Sequence, residues 1–290
     1  MTALRDTAKA KLNLTLEVLG RRADSYHELK SLVCFTALGD SVALEPGEEL
    51  ALSIEGPFAC ALQGDNLILR AAGAAKAAYP ALKLGRFNLT KTLPVAAGLG
   101  GGSADAASAM RLLAGANTGA LDEESWLELG ERLGSDVPVC LRSRPALMTG
   151  RGETVTPVRG FPSCAIMLVN PGLPLAAADV YGVLVSSDLA APPEQPAEIL
   201  DFHGSFERLI DYAAARRNDL EGAALSLAPV IAEVLAALRS CEGAPLVRLS
   251  GSGPTCFALF ATEDEVKAAA ASLKAAHPSW WVAATTLGGS

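Results

Sequence analysis

Histidine occurs only three times in this 290-residue chain, at His27, His203 and His277, all far apart in sequence, which argues against a zinc site. No cysteine belongs to a CxxC pair. Cys34, Cys60, Cys140, Cys164, Cys241 and Cys256 are scattered, mostly inside apolar runs such as VPVCL and PTCFALF. They read as buried free thiols of a reducing, cytoplasmic compartment. No stretch approaches about 18 uncharged apolar residues, which excludes a membrane-spanning helix. The opening MTALRDTAKAKLNL lacks a signal-peptide core and so also points to the cytoplasm. Positive charge is in deficit: 24 Lys and Arg against 32 Asp and Glu leave a net charge of −8. That argues against a nucleic-acid partner but leaves room for a local cationic site for an anionic metabolite. There is no repeat of about 20–50 residues. No Gly-Lys dipeptide exists anywhere, so a Walker A phosphate loop is excluded.

What is present is apolar sequence, half of the chain, enough to bury one large domain or two ordinary ones. Residues 8–18, AKAKLNLTLEV, alternate: Leu12, Leu14, Leu16 and Val18 on one face, Lys9, Lys11, Asn13, Thr15 and Glu17 on the other. This predicts a half-buried strand. Strand-like runs follow near 31–37, 41–45 and 50–54, then a helix over 66–79 and a strand over 87–93. A glycine-rich loop leads to helices over 103–115 and 122–133, the second stopping at Gly134. Beyond it lie the short strands TVTPV and CAIMLVN and helices near 176–185, 204–215 and 227–240. A hairpin of 245–249 and 254–260 turns around GSG, and the helix EDEVKAAAASLKAA and the strand WWVAATT close the chain. Strands and helices that mix without strict alternation predict α+β layers, not a doubly wound sheet. The character shifts around 150–160, which places a boundary between a domain of residues 1–155 and one of 156–290.

The loop reads PVAAGLGGGSADAAS over residues 94–108, with Gly98, Gly100, Gly101 and Gly102 in five positions. A strand, a glycine loop and a helix start in that order form an anion site, because unpaired N–H groups and the helix dipole converge there. Ser103 can cap the helix or donate its hydroxyl to a phosphate oxygen. The Rossmann spacing fails, since Gly98-x-Gly100-x-x lands on Ser103. Cationic help must therefore come from elsewhere, and a plain flexible turn stays open. Asp105 in a first helical turn complements the dipole; beside a triphosphate it must bond a hydroxyl or help hold Mg²⁺.

Two further groups stand out. Lys11 and Asn13 share a strand face, where a lysine can orient a hydroxyl or balance phosphate charge; from the strand alone a solvated face is the plainer reading. Asp136, in LGSDVPVC, follows a helix stop. Such an aspartate usually serves its own turn, yet a partly buried carboxylate near a lysine can act as general base.

Together these features resemble the GHMP kinase superfamily of galactokinase, homoserine, mevalonate and phosphomevalonate kinases. PVAAGLGGGSADAAS resembles its central ATP-binding motif, and LSGSGPTCFALF its C-terminal glycine motif. AKAKLNLTLEVLGRRADSYHELKSL, NLILRAA at 66–72, LGSDVPVC, RNDLE at 217–221 and SGSGPTCF narrow the resemblance, from residue 8 to the end. They are similar to the branch that phosphorylates the 2-hydroxyl of 4-diphosphocytidyl-2-C-methyl-D-erythritol in the non-mevalonate isoprenoid pathway. The resemblance implies a two-domain α+β GHMP kinase fold, N-terminal ribosomal-protein-S5-domain-2-like and C-terminal ferredoxin-like. It implies ATP as phosphoryl donor, Mg²⁺ arriving with ATP without an assigned protein ligand, no membrane or nucleic-acid partner, and a monomer or weak homodimer.

Carried over by position, the resemblance makes Lys11 and Asp136 the catalytic pair, with Asp136 also touching substrate. Pro94, Val95, Ala96, Ala97, Gly98, Leu99, Gly100, Gly101, Gly102, Ser103 and Ala104 would line the triphosphate. Asp105 counts with the ATP site, and Asn66 and Lys91 lie toward the nucleoside. Asn13 and His27 would contact the acceptor, Tyr26 and Tyr181 would stack on its cytosine, and Gly251, Ser252, Gly253 and Thr255 would close the phosphate side. The chain departs from the family pattern at Ser25, where DSYH replaces Asp-Gly-Tyr-His, and at Ala176 and Ala177, where Ser-Thr is usual. Another small-molecule GHMP kinase of homoserine or mevalonate type would share the loop, Lys11 and Asp136 but has no reason to keep Tyr26-His27. A non-catalytic nucleotide-binding regulator would keep the loop but could lose Lys11 or Asp136, and both are present; a purely structural domain would bind no ATP.

Overall fold

The computed structural model describes residues 3–22, 26–62, 64–184 and 198–288. Ser25 lies outside them, as does the last residue of the helix predicted over 176–185. The first half runs β1 (Leu4–Asn13), β2 (Glu17–Arg21), β3 (His27–Gly47), β4 (Ala51–Glu55), α1 (Leu67–Ala78), β5 (Leu84–Thr90), α2 (Gly101–Ala116), α3 (Glu123–Leu133) and α4 (Val137–Arg142). The second continues β6 (Ala146–Gly150), β7 (Thr154–Pro157), β8 (Cys164–Asn170), α5 (Ala177–Val183), α6 (Phe206–Ala214), α7 (Glu221–Leu227), α8 (Val230–Arg239), β9 (Leu246–Leu249), β10 (Cys256–Phe260), α9 (Glu263–Ala276) and β11 (Trp281–Leu287).

These elements form two units that interleave along the chain. The first comprises the residues up to Lys11, Gly39–Val95 and Gly100–Ser143; the second comprises Leu12–Leu38, Ala96–Leu99 and Arg144–Ser290. In the first unit β5 pairs with β4 in parallel and with the end of β3 antiparallel, Ser41 opposite Thr90 and Gly47 opposite Leu84. Helix α1 packs on α2 and α3, and α4 on α2 and α3. In the second unit a four-stranded antiparallel sheet has the order β11-β8-β10-β9. With α8 before β9 and α9 before β11, this is the βαββαβ order of a ferredoxin-like layer. Every residue of β8 is buried, and its Ala165, Met167 and Val169 share one core cluster with Phe260 of β10 and Val266 and Leu273 of α9. The other strands of this unit pair β2–β3–β6–β7.

Several predicted elements change for identifiable reasons. The strand expected over 8–18 breaks after Asn13, because Leu14 and Thr15 both aim their N–H at the Leu32 carbonyl and Leu16 donates instead to Arg217. Its polar face is not solvated: Lys11, Asn13 and Thr15 are buried with the leucines. The runs 31–37 and 41–45 are one strand, β3. The helix expected from 227 starts at Val230, and a separate α7 precedes it, since Pro229 has no N–H to continue a helix. VPVC, to which the sequence pattern assigned no element, lies in the short helix α4. The helix after the glycines begins at Gly101, so Gly100 is its N-cap and Ser103 is not. All six cysteines are thiols; four are buried, Cys241 is intermediate and Cys60 is exposed.

Candidate active site

Gly100 enters α2 with φ of +61°, a left-handed conformation that favours glycine, and no side chain caps this helix end. The first-turn N–H groups at Gly101, Gly102 and Ser103 are those an α-helix leaves without an intrahelical acceptor. Beside them lies the pair expected from the resemblance: Lys11 Nζ is 2.9 Å from Asp136 Oδ2. A methyl group added at Gly100 would meet Lys11 Cε at 3.1 Å and Asp136 Oδ2 at 3.7 Å. The glycine thus lets the loop close onto the pair. Asp136 sits at the N-cap position of α4 yet makes no capping bond there; its carboxylate turns to Lys11 and stays one-third exposed. A carboxylate held by an ammonium and open on one side can accept a hydroxyl proton.

Under the same helix end is a buried triad. Lys91 Nζ bonds Asp40 Oδ2 at 2.5 Å and Asp105 Oδ2 at 2.7 Å, and all three side chains are 5% exposed or less. Asp40 also accepts the N–H groups of Thr92 and Leu93 at 2.6 and 2.8 Å, so it tethers the segment leading into the loop. Burial alone would lower the Lys91 pKa, but the carboxylates of Asp105 and Asp40 outweigh it and raise it. Asp105 is pushed up to about 7, first by burial and further by Asp40, against the opposing pull of Lys91. Its Oδ1 has no hydrogen-bond partner. Asp105 therefore stands beyond the first turn and faces Lys91, where the sequence placed it against the dipole. Asn66 caps α1, its side chain accepting from Ile68 N at 2.8 Å. Sequence reasoning missed Asp40; an aspartate inside the apolar run VCFTALGDSVAL was the available signal.

The second unit gathers most of the expected acceptor contacts. Asn13 Nδ2 donates to Ser31 Oγ at 2.7 Å, and Ser31 donates to the Thr15 carbonyl at 2.6 Å. A methyl group at Gly251 would lie 3.0 Å from Asn13 Oδ1, so the GSG turn rests on that amide. Ser250 Oγ donates to Gly98 O at 2.9 Å, Thr255 N donates to Ala97 O, and Asn170 Nδ2 donates to Thr255 Oγ1. Gly98, with φ of +72°, has Ser250 O only 2.3 Å from where a Cβ would stand. His27 stacks on Tyr181 with ring centroids 5.3 Å apart and 24° between planes. Burial and then Arg21 lower the His27 pKa, which favours a neutral imidazole with one donor and one acceptor. Tyr26 is 52% exposed, with the Arg151 guanidinium 5.2 Å from its ring centre. Ala176 takes the N-cap position of α5, where a hydroxyl would have capped the helix.

Fold and site define a GHMP kinase. The family of GHMP kinase N terminal domains matches residues 66–144 and that of GHMP kinase C terminal domains residues 199–279. A 4-diphosphocytidyl-2-C-methyl-D-erythritol kinase of Rhodopseudomonas palustris is 47% identical over 98% of this chain and 97% of its own. A crystal structure of 4-(cytidine 5'-diphospho)-2C-methyl-D-erythritol kinase superposes with a TM-score of 0.80 at 33% identity, covering 99% of this chain and 100% of that one. The chain belongs to the 4-diphosphocytidyl-2-C-methyl-D-erythritol kinase family. Homoserine kinase from Cytophaga hutchinsonii, at TM-score 0.69 and 16% identity over 98% of this chain and 95% of its own, shares the fold alone. Among the described residues no helix is long and apolar enough to cross a membrane, and no cluster of three or more His, Cys, Asp or Glu could hold a metal ion.

Proposed function

We propose that this protein transfers the γ-phosphoryl group of ATP to the 2-hydroxyl of 4-diphosphocytidyl-2-C-methyl-D-erythritol, in line and without a phosphoenzyme. The observation that carries this is the Lys11–Asp136 pair at 2.9 Å beside Gly100. Asp136 takes the hydroxyl proton as the acceptor oxygen bonds to the γ-phosphorus, and the bond to the β-phosphate oxygen breaks to release ADP. Lys11 orients the hydroxyl. The N–H groups from Gly100 to Ser103, and the positive end of α2, offset charge on the β- and γ-phosphates. Mg²⁺ bound together with the nucleotide would supply further charge neutralisation at the phosphates, and no residue of this chain is assigned to hold it.

On the acceptor, Asn13 and the Gly251–Gly253 turn hold the polar end. The cytosine meets Tyr26 and the His27–Tyr181 stack, His27 reading its edge through a neutral imidazole. The six free thiols fit a reducing, cytoplasmic compartment, and the enzyme is proposed to act as a monomer or weak homodimer. The test is ADP release with 4-diphosphocytidyl-2-C-methyl-D-erythritol, homoserine, mevalonate and galactose in parallel. Turnover with the first alone is expected; turnover with only one of the other three would overturn the acceptor and leave the kinase class.

A further inference from the structure

The motif RNDLE has no part in the chemistry above, yet its Asn218 is buried and uses both amide hydrogens on one target. Nδ2 donates to Leu249 O at 3.0 Å and to Gly251 O at 2.7 Å, while Oδ1 accepts from Leu220 N at 3.0 Å. Two backbone carbonyls facing one side-chain terminus require a donor with two hydrogens, which an amide supplies and a carboxylate cannot. The segment Arg217–Asn218–Asp219 is fastened on its other edge as well. Leu16 N donates to Arg217 O at 2.9 Å, Asp219 N donates to Leu16 O at 2.8 Å, and Asp219 Oδ2 accepts Val18 N at 2.7 Å. One short segment therefore joins the chain just after Asn13 to the turn that rests on the Asn13 amide. Arg248 reinforces the same junction, donating to Leu14 O and to the Ala213 and Arg216 carbonyls.

We infer that Asn218 is a positioning residue for the acceptor site: it sets the Leu249–Gly253 turn at the spacing from Asn13 that the acceptor needs. The inference rests on the reading that Asn13 and this turn touch the acceptor. Asn218 would act through the turn that its amide holds, not by contact with the acceptor or ATP. Its chemistry dictates an order of damage. Asn218→Asp keeps the shape but turns acceptor oxygens toward two carbonyls and pushes the turn away; Asn218→Ala only releases it.

The experiment is steady-state kinetics of the full chain with 4-diphosphocytidyl-2-C-methyl-D-erythritol and ATP varied separately, for Asn218→Asp, Asn218→Ala and Ser252→Ala, with kcat expressed per folded molecule. The expected result is a KM for the acceptor raised about tenfold or more by Asn218→Asp, less by Asn218→Ala, with the KM for ATP within about twofold of wild type. A role in stability alone would lower the melting temperature and leave the acceptor KM unchanged, and that result would overturn the inference. If Ser252→Ala raises the acceptor KM and neither Asn218 variant does, the inference falls while the turn keeps its place in the acceptor site. If Asn218→Asp raises it and Ser252→Ala does not, the positioning role stands and the turn meets the acceptor through its backbone, not through the Ser252 hydroxyl. Should Asn218→Asp not fold, the Asn218→Ala kinetics decide by the same criterion.

Discussion

Asp136 and Asp105 show how two carboxylates near one helix start take opposite parts. Asp136 is one-third exposed and paired with Lys11, open to a hydroxyl. Replacing it with Asn keeps the shape but removes the proposed base. Asp136→Asn should lower kcat by about 10²–10⁴-fold, with an unchanged circular dichroism spectrum. Near wild-type turnover in a folded variant would remove Asp136 from the base role. Asp105 is buried, and its pKa near 7 stands above the ordinary 3.8 of a carboxyl, so the native state keeps a proton that the unfolded chain has released. Its stabilising contribution is complete below about pH 4 and is lost as pH rises through about 7. Asp105→Asn cannot ionise and escapes that loss. Thermal melts should therefore show the variant gaining on wild type from pH 5 to pH 8, by about 2–4 °C for each kcal/mol involved. A pH-independent difference would mean that Asp105 is not the titrating member of the triad.

At the scale of elements, α2 is the one whose start matters most. Its glycines do two jobs: Gly100 supplies the left-handed N-cap, and the lack of a side chain there leaves room for Lys11. Gly100→Ala should cost about 1–2 kcal/mol of stability for the left-handed backbone. It should also lower kcat out of proportion to that cost, because the new methyl group displaces Lys11 from Asp136. Urea denaturation together with kcat measurement separates the two effects. An unchanged kcat would show that the loop does not crowd the pair. The helices and the C-terminal hairpin were legible in sequence, since 3.6-residue periodicity, N-caps such as Asp122 and Thr262, and GSG between β runs are local signals. The break after Asn13 and the helices α4 and α7 were not. Leu16 leaves its strand for Arg217, 201 residues downstream, and no local pattern records such a partner.

For the whole molecule, a nucleotide that binds only the native chain must stabilise it. ATP at about 100 times its dissociation constant should add about 2.7 kcal/mol and raise the melting temperature by several degrees. CDP should raise it as well and compete with the acceptor, whereas homoserine and mevalonate should do neither. Differential scanning fluorimetry reads both. No shift with ATP would remove the nucleotide site altogether.

The sequence by itself determined the α+β class, the glycine loop before a helix, the absence of a Walker lysine and, through its resemblance, the kinase family. These follow from composition and short-range spacing, which act through backbone conformation and capping. Only the tertiary structure decided what the polar residues do. Period two put Lys11 and Asn13 on a polar face, but periodicity cannot say what covers that face, and here it is buried. Lys91 gained its meaning from Asp40, 51 residues away, and Asn218 from carbonyls 31 and 33 residues on. Burial makes an unpaired polar group costly, so the fold had to bring each its partner, and those long-range pairings turn a flexible-looking loop into a held one.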